Sequence, residues 1–298
     1  MACYHPVQAY LGEDGVVTFA ERRTHGSVSC LRLPCGKCVG CRLERSRQWA
    51  VRCMHEAQLH DRNCFITLTY DEAHVPAGFS LRYRDFQLFM KKLRKFAGHP
   101  VRFFMCGEYG GEHSRPHFHA CLFGFDFPDK VQFKRVGGGA VIYRSSVLER
   151  LWLQGFSTIG AVTFESAAYV ARYVMKKLDG ALTSVDDTGS VDTNTGEVVR
   201  KCPEFCHMSL KPGIGRTWLE KYWTDVFPHG KVVVNGKEWK SPRYYDRVFA
   251  DVDPDAAAIL AFDRSRVARD YCEDNSDVRL AVREVVALAR VRSMKRKI

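Results

Sequence analysis

Two histidines separated by one bulky hydrophobe, His117-Phe118-His119, stand at the head of an apolar run that ends at Phe123. In an extended strand, side chains alternate between faces, so His117 and His119 share one face while Phe118 and Leu122 point to the other. Strand residues two apart have backbones roughly 7 Å apart, which lets both imidazoles reach one metal ion. The competing explanation is a pair of half-exposed, unliganded histidines. A second run able to do chemistry is Tyr169-Val170-Ala171-Arg172-Tyr173-Val174-Met175-Lys176-Lys177. In a helix, Tyr169 and Tyr173 lie on one face about 6 Å apart, and Lys177 continues that stripe with Lys176 beside it. Core packing is the ordinary explanation of such an aromatic pair, but a core stripe does not end in ammonium groups.

These groups fit one reaction. A divalent ion on the histidine pair is a Lewis acid that polarises a phosphate oxygen. Tyrosine ionises near pH ~10 and is a weak nucleophile at neutrality. In line with a metal-activated phosphodiester, it can attack phosphorus and hold a covalent intermediate. Lys177 or Lys176 can neutralise charge developing on the pentacoordinate phosphate. With two tyrosines on one face, the second can attack after the first is occupied, so cleavage and rejoining alternate.

A third cluster is Cys35-Gly36-Lys37-Cys38-Val39-Gly40-Cys41, a loop that can present three thiolates to one ion. Structural zinc needs a fourth ligand, and Cys3 is the first candidate, with His5, Cys30 and Cys53 behind it. An iron–sulfur cluster needs a fourth thiolate as well, whereas reduced, partly buried thiols need no partner. Cys202, Cys206 and His207 form a smaller group that lacks a fourth donor. Twelve clustered cysteines in 298 residues read as metal ligands or buried thiols, not as a secreted disulfide framework.

The elements that must position these groups are legible as patterns. Residues 64–70, Cys-Phe-Ile-Thr-Leu-Thr-Tyr, alternate and are rich in β-branched and aromatic types, so they predict a strand. Ser80 is placed to cap a helix running to about Ala97, with Phe86, Phe89, Met90, Leu93 and Phe96 inward and Lys91, Lys92, Arg94 and Lys95 outward. Residues 101–108 read as a strand that pairs with the histidine strand in an antiparallel hairpin, its loop spanning 110–116. Residues 43–60 read as a helix with Trp49, Cys53 and Ala57 on one face. The stretch from 124 to 143 reads as a glycine-rich connection, and Gly137-Gly138-Gly139 is not followed by the Lys-Ser or Lys-Thr of a nucleotide P-loop. A short helix over 146–153 and a strand over 158–164 lead to the tyrosine helix. There Ala167, Ala168, Val170, Ala171, Val174 and Leu178 make one broad packing side. Residues 180–198 read as a polar insertion. Residues 212–216 read as a turn suited to a phosphate contact or simply to entry into a helix over 218–227. One or two terminal helices begin near Pro254, and the chain ends on a basic tail.

Composition bounds the partners. Apolar residues make up 46% of the chain and aromatics 12%, which is ample for a core. Lys and Arg number 45 against 34 Asp and Glu, a net charge of +11 that favours a polyanionic partner, nucleic acid before membrane. No apolar run approaches a membrane span, and residues 1–6 resemble no signal peptide, so the expectation is a soluble, unexported protein.

Phe65-Ile66-Thr67-Leu68-Thr69, Arg115-Pro116-His117-Phe118-His119 and the run from Tyr169 to Lys177 resemble, in order, the three motifs of rolling-circle replication initiators, the His-hydrophobe-His endonucleases. The Cys35–Cys41 loop, Gly107-Glu108-Tyr109-Gly110 and Pro212-Gly213-Ile214-Gly215 resemble more narrowly the replication initiators of gokushoviruses, small single-stranded DNA phages of the microvirus group. The resemblance extends to about residue 225. It implies an α+β fold of the ferredoxin/RRM-like kind, a central antiparallel sheet with packed helices. Residues 1–60 would form a Cys-rich segment and helix packed on the core, 61–225 the endonuclease core and 226–298 a basic helical extension. It implies a Mg²⁺ or Mn²⁺ ion on His117 and His119, with Glu108 as the third ligand, and Tyr169 and Tyr173 as nucleophile candidates accompanied by Lys177 or Lys176. It further implies nicking of an origin strand with the 5′-phosphate kept on tyrosine, and a free 3′-OH that primes host polymerase. The partners would be single-stranded and replicative-form phage DNA and a host helicase, in the host bacterial cytoplasm. Where relatives with two tyrosines often have lysine between them, this chain has Arg172. The competing functions are a noncatalytic, zinc-stabilised single-stranded DNA-binding protein, and a relaxase or transposase of the same fold.

Overall fold

Strand-forming alternation around Thr67 and Thr69 produces the middle strand of the sheet on which everything else is arranged. In the computed structural model, residues 3–12, 16–19, 29–110, 114–176, 189–191 and 198–294 are described. For 138, 172–176, 189–191, 198–200 and 294, the description covers the backbone alone. The chain forms two compact units, one from 1–45 with 262–298 and the other from 46–261.

In the first unit, β1 (Val7–Leu11) is flanked by β2 (Val17–Thr18) and β3 (Ser29–Leu33), both antiparallel to it. The expected turn after Leu11 closes with Gly12 N–H donating to the Val16 carbonyl at 3.0 Å. Helix α1 (Val39–Ala57) starts in this unit and ends in the second.

The second unit is built on β4 (Asn63–Tyr70), α2 (Tyr83–Ala97), β5 (Arg102–Tyr109), β6 (Pro116–Phe123), β7 (Val131–Arg135), β8 (Val141–Arg144), α3 (Ser146–Leu151), β9 (Gly155–Gly160) and α4 (Phe164–Lys176). Short strands β10 (Gly189–Val191) and β11 (Val198–Arg200) pair with each other, and β12 (Phe205–Met208) joins the main sheet. Then come α5 (Arg216–Val226), the hairpin of β13 (Lys231–Val234) and β14 (Lys237–Lys240), and α6 (Arg243–Val252). Helices α7 (Pro254–Asp270) and α8 (Asp277–Met294) close the chain, α7 crossing back into the first unit.

The main sheet has seven strands in the order β12-β5-β6-β4-β9-β8-β7, all neighbours antiparallel. Its centre, β5-β6-β4-β9, together with α2 and α3, follows the order expected of a ferredoxin-like α+β fold. Ile66, Leu68, Phe118, Ala120 and Leu122 point to one face, where Phe86, Phe89, Met90 and Leu93 of α2 and Leu148 of α3 complete a core. Phe104, Cys106, Cys121 and Phe123 point to the other face, against Ala50 and Cys53 of α1 and Ala167, Val170 and Ala171 of α4. A third cluster joins Val51 of α1 to Leu219, Val232, Tyr245 and Phe249.

Several expectations change. Ser80 is not a helix cap: α2 begins at Tyr83 without a side-chain cap, and the Ser80 hydroxyl instead accepts from Cys202 N–H at 2.8 Å. Phe96 is half exposed and meets Phe125 edge-on at 6.3 Å, because the helix face has turned from the sheet by its last turn. The stretch 124–143 is not merely a connection, since it contains β7 and β8. Strand β7 is an edge strand with all five residues exposed, so burial leaves no alternation to read. Strand β9 begins at Gly155, three residues before the predicted start. Leu178, expected on the packing side of α4, lies outside the described residues.

Gly155 explains that early start. Its φ is +142°, and a Cβ there would lie 2.4 Å from both Asp71 N and the Thr69 carbonyl oxygen. Gly155→Ala is therefore expected to destabilise the fold by at least ~2 kcal/mol, measured as a lowered urea midpoint with an unchanged slope.

Candidate metal centre and nucleophile

Three adjacent strands supply the site through two cross-strand rows. Glu108 of β5 stands opposite His117 of β6, which stands opposite Thr69 of β4; the next row is Cys106, His119 and Thr67. Directly opposed residues of an antiparallel pair share a face, so the carboxylate and both imidazoles project together. His117 Nε2 lies 2.7 Å and His119 Nε2 3.0 Å from the same atom, Oε1 of Glu108. From α4, the Tyr169 hydroxyl donates to that oxygen at 2.8 Å.

The remote ring nitrogens fix which atom faces inward. His117 Nδ1 is 3.0 Å from the Arg115 carbonyl, which can only accept, so Nδ1 carries the proton and neutral Nε2 presents its lone pair. His119 Nδ1 is 2.8 Å from Thr67 Oγ1, a hydroxyl oxygen able to accept in the same way. Phe65 stacks on the His119 ring at 5.5 Å, and Tyr169 meets it edge-on at 5.1 Å.

Glu108, His117 and His119 form a group that could hold a metal ion. Cis ligands on an octahedral cation at ~2.1 Å stand about 3 Å apart, and the 2.7 and 3.0 Å separations match that spacing. Protonation competes with such an ion. Burial disfavours a charged His117, yet the Glu108 carboxylate and the Arg115 carbonyl outweigh it and leave its pKa above the ordinary histidine value. At His119 burial dominates and lowers the pKa, only partly offset by Glu108.

The cysteine group lies in the first unit. Cys3, Cys35, Cys38 and Cys41 bring their sulfurs within 4.8 Å of one another, and none is in a disulfide. Backbone N–H groups of Tyr4 and Cys35 donate to Cys38 and Cys3 sulfurs at 3.3 and 3.2 Å. Burial raises Cys38, but N–H donors from Tyr4 and Cys41 and the adjacent thiols win and bring its pKa down to about 7. Burial pushes Cys3 and Cys41 up. The other candidate ligands are elsewhere: His5 pairs with Glu284 at 2.6 Å, Cys30 is exposed on β3, and Cys53 is buried in the core of the second unit.

Tyr173 and Lys176 lie on the backbone of α4, but their side chains, like all of Lys177, are outside the described residues. Cys206 donates to the Val170 carbonyl at 3.6 Å and His207 stacks on Tyr83 at 3.9 Å, so these two are engaged in packing. The 212–216 turn is also packed: Gly215 N–H donates to Glu56 at 2.7 Å, the Ile214 carbonyl accepts from Arg52 at 2.9 Å, and Arg216 pairs with Glu220. Thr67 and the Arg115 carbonyl, which orient the two imidazoles, had no assigned role in the sequence; their only signal was membership of the same short motifs.

An antiparallel α+β sheet with a His-x-His strand, a facing carboxylate and a tyrosine helix corresponds to the part of the chain that known proteins share. Residues 63–178, from β4 into the tyrosine helix and just beyond, match a family described as replication-associated proteins of the ORF2 type. Over 254 residues the chain is 34% identical to Replication-associated protein VP4 of Bdellovibrio phage phiMH2K, covering 82% of this chain and 76% of that one. It is 31% identical over 270 residues to Replication-associated protein ORF2 of Spiroplasma virus 4, covering 83% and 80%. To Replication-associated protein ORF4 of Chlamydia phage 1 it is 30% identical over 221 residues, covering 72% and 52%. The chain belongs to this family of phage replication-associated proteins, as a replication initiator of the gokushovirus type. No solved structure matches it significantly. Among the described residues, no helix is long and apolar enough to cross a membrane.

In calorimetric titration with Mn²⁺, His119→Ala and Glu108→Gln are each expected to abolish measurable binding at the triad, and Thr67→Val to weaken it about 10-fold or more. Because a cation must displace the His117 proton, affinity should fall as pH drops through the raised His117 value. The fall should approach about tenfold per pH unit below it.

Proposed function

We propose that this initiator nicks and rejoins one strand of phage origin DNA through a phosphotyrosine intermediate, with Tyr169 as the attacking residue. The observation that carries this reading is the convergence of three donors on one atom: both imidazole Nε2 atoms and the Tyr169 hydroxyl lie within 3.0 Å of Glu108 Oε1. A divalent cation of the Mg²⁺ or Mn²⁺ kind, held by Glu108, His117 and His119, supplies positive charge to a phosphodiester oxygen when bound.

The chain's own residues do the rest. Tyr169 directs its phenolic proton at Glu108 and its oxygen at phosphorus. The Tyr–O–P bond forms as the P–O3′ bond breaks, the phosphate stays on the 5′ end, and the 3′ oxygen leaves as a hydroxyl. Thr67 and the Arg115 carbonyl hold both histidines in the orientation that faces the reacting group. Tyr173 is the second nucleophile for rejoining, and Lys176 or Lys177 neutralises the phosphate in the transition state. Single-stranded and replicative-form DNA are the substrates, host polymerase extends the 3′-OH, host helicase opens the duplex, and the reaction takes place in the host bacterial cytoplasm. The Cys3, Cys35, Cys38 and Cys41 group holds a structural Zn²⁺, supported by four convergent sulfurs and the N–H donors aimed at them.

Incubation with origin-bearing single-stranded DNA and Mn²⁺, followed by denaturing electrophoresis, should reveal a covalent protein–DNA adduct. Tyr169→Phe should remove the first-step adduct. No adduct from the unaltered protein, or an undiminished one from Tyr169→Phe/Tyr173→Phe, would overturn the assignment. Separately, metal analysis of protein purified under reducing conditions should return about one zinc per chain, lost in Cys35→Ser/Cys38→Ser; a zinc-free, folded protein would count against that site.

A further inference from the structure

The catalytic row does not stop at β4. Thr69, opposite His117, is itself opposite Phe156 of β9, so Glu108, His117, Thr69 and Phe156 stand in one line across four strands on one face. Strand spacing puts Phe156 roughly 10 Å from His117, within reach of a nucleotide adjacent to the one under attack. Phe156 belongs to an interior strand, yet it is 67% exposed. Helix α4 lies against β5, β12 and β6, beside this position and not over it.

The open half of the face has a consistent chemistry. Next to Phe156 it presents the hydroxyl-bearing Thr67, Thr69 and Thr158, the last opposite Thr67. Ile142 lies beside Gly160 on this face, which assigns Lys134, its partner on β7, to the same side. Lys134 is exposed, and no carboxylate occurs on this side of β4, β9, β8 or β7. Nor is Phe156 loosely displayed. The preceding Gly155 approaches β4 so closely that a Cβ would clash with its backbone, and Asp71 N–H donates to the Gln154 carbonyl at 3.0 Å. The ring stands on a clamped strand end, so little conformational freedom is lost when a flat partner covers it.

We propose that this open half-face is the cradle for single-stranded DNA beside the metal triad, with Phe156 as the platform on which a base next to the attacked phosphate stacks and Lys134 as a backbone contact. The proposal rests on the nuclease reading for its substrate, but stacking on an exposed ring requires neither metal nor chemistry.

The test uses the full-length protein in EDTA, with fluorescence anisotropy on labelled oligo(dT) and ultraviolet cross-linking to bromodeoxyuridine-substituted oligo(dT). Phe156→Ala should weaken binding about ten- to a hundredfold, while Phe156→Trp retains it, which separates stacking from damage to the fold. Lys134→Ala should reduce the slope of log affinity against log salt by about 0.7. Cross-links from unaltered protein should map to the peptide containing Phe156. Unchanged affinity in Phe156→Ala, or cross-links confined to peptides outside β9, overturns the cradle. If these binding results hold while no covalent adduct forms on origin DNA with Mn²⁺, the nuclease reading fails and the cradle stands. If the adduct forms and Phe156→Ala binds like the unaltered protein, the cradle alone fails.

Discussion

One buried carboxylate holds the site together. Glu108 is 2% exposed and lies on an interior strand, where an ionised group without partners would cost several kcal/mol. Two imidazoles and a phenol meet one of its oxygens, so they stabilise the charge and are in turn oriented by it. Such an assembly favours a cation: negative charge is already concentrated at the point where two nitrogen lone pairs converge.

That arrangement depends on the pleat of β6. Phe118 is fully buried and packs against the rings of Tyr70, Phe86, Trp152 and Phe205 at centroid distances of 5.8 to 6.4 Å. With that side chain locked in one core, its neighbours His117 and His119 must face the other way, and a slip of one residue would exchange the two sets. Helix α4 is held by the same logic. Ala167, Val170 and Ala171 are buried against Phe104, Cys106 and Cys121, and their small size brings the helix close enough for Tyr169 to reach the carboxylate. Thus the two cores, one on each side of the sheet, set the register of the site between them.

Much of the fold could be read from periodicity, and the departures have identifiable causes. Strands β4, β5 and β6 and helix α2 bury one or both faces, so their apolar spacing is explicit. Strand β7 buries neither face and left no such pattern. Ser80 had the right chemistry for a helix cap, but a backbone N–H from far along the chain, that of Cys202, claimed its hydroxyl. Phe96 continued the apolar spacing of α2 beyond the point where the sheet could cover it. In the 212–216 turn, local composition could not separate a phosphate contact from packing, and the partners Glu56 and Arg52 come from α1, far earlier in the chain.

What the sequence determined by itself was local: a His-x-His pair on one strand face, a tyrosine on a helix, and cysteines spaced to surround an ion. Alternation and helical pitch require no knowledge of the rest of the chain. Only the tertiary structure decided which groups meet. Cross-strand register put Glu108 against His117, helix packing delivered Tyr169 to the same oxygen, and the sulfur of Cys3 joined a loop 32 residues away. The exposed Phe156 was invisible beforehand for the same reason. An isolated aromatic in a strand predicts burial, and its place beside Thr69 in the line of the metal triad is a property of strand pairing across the sheet.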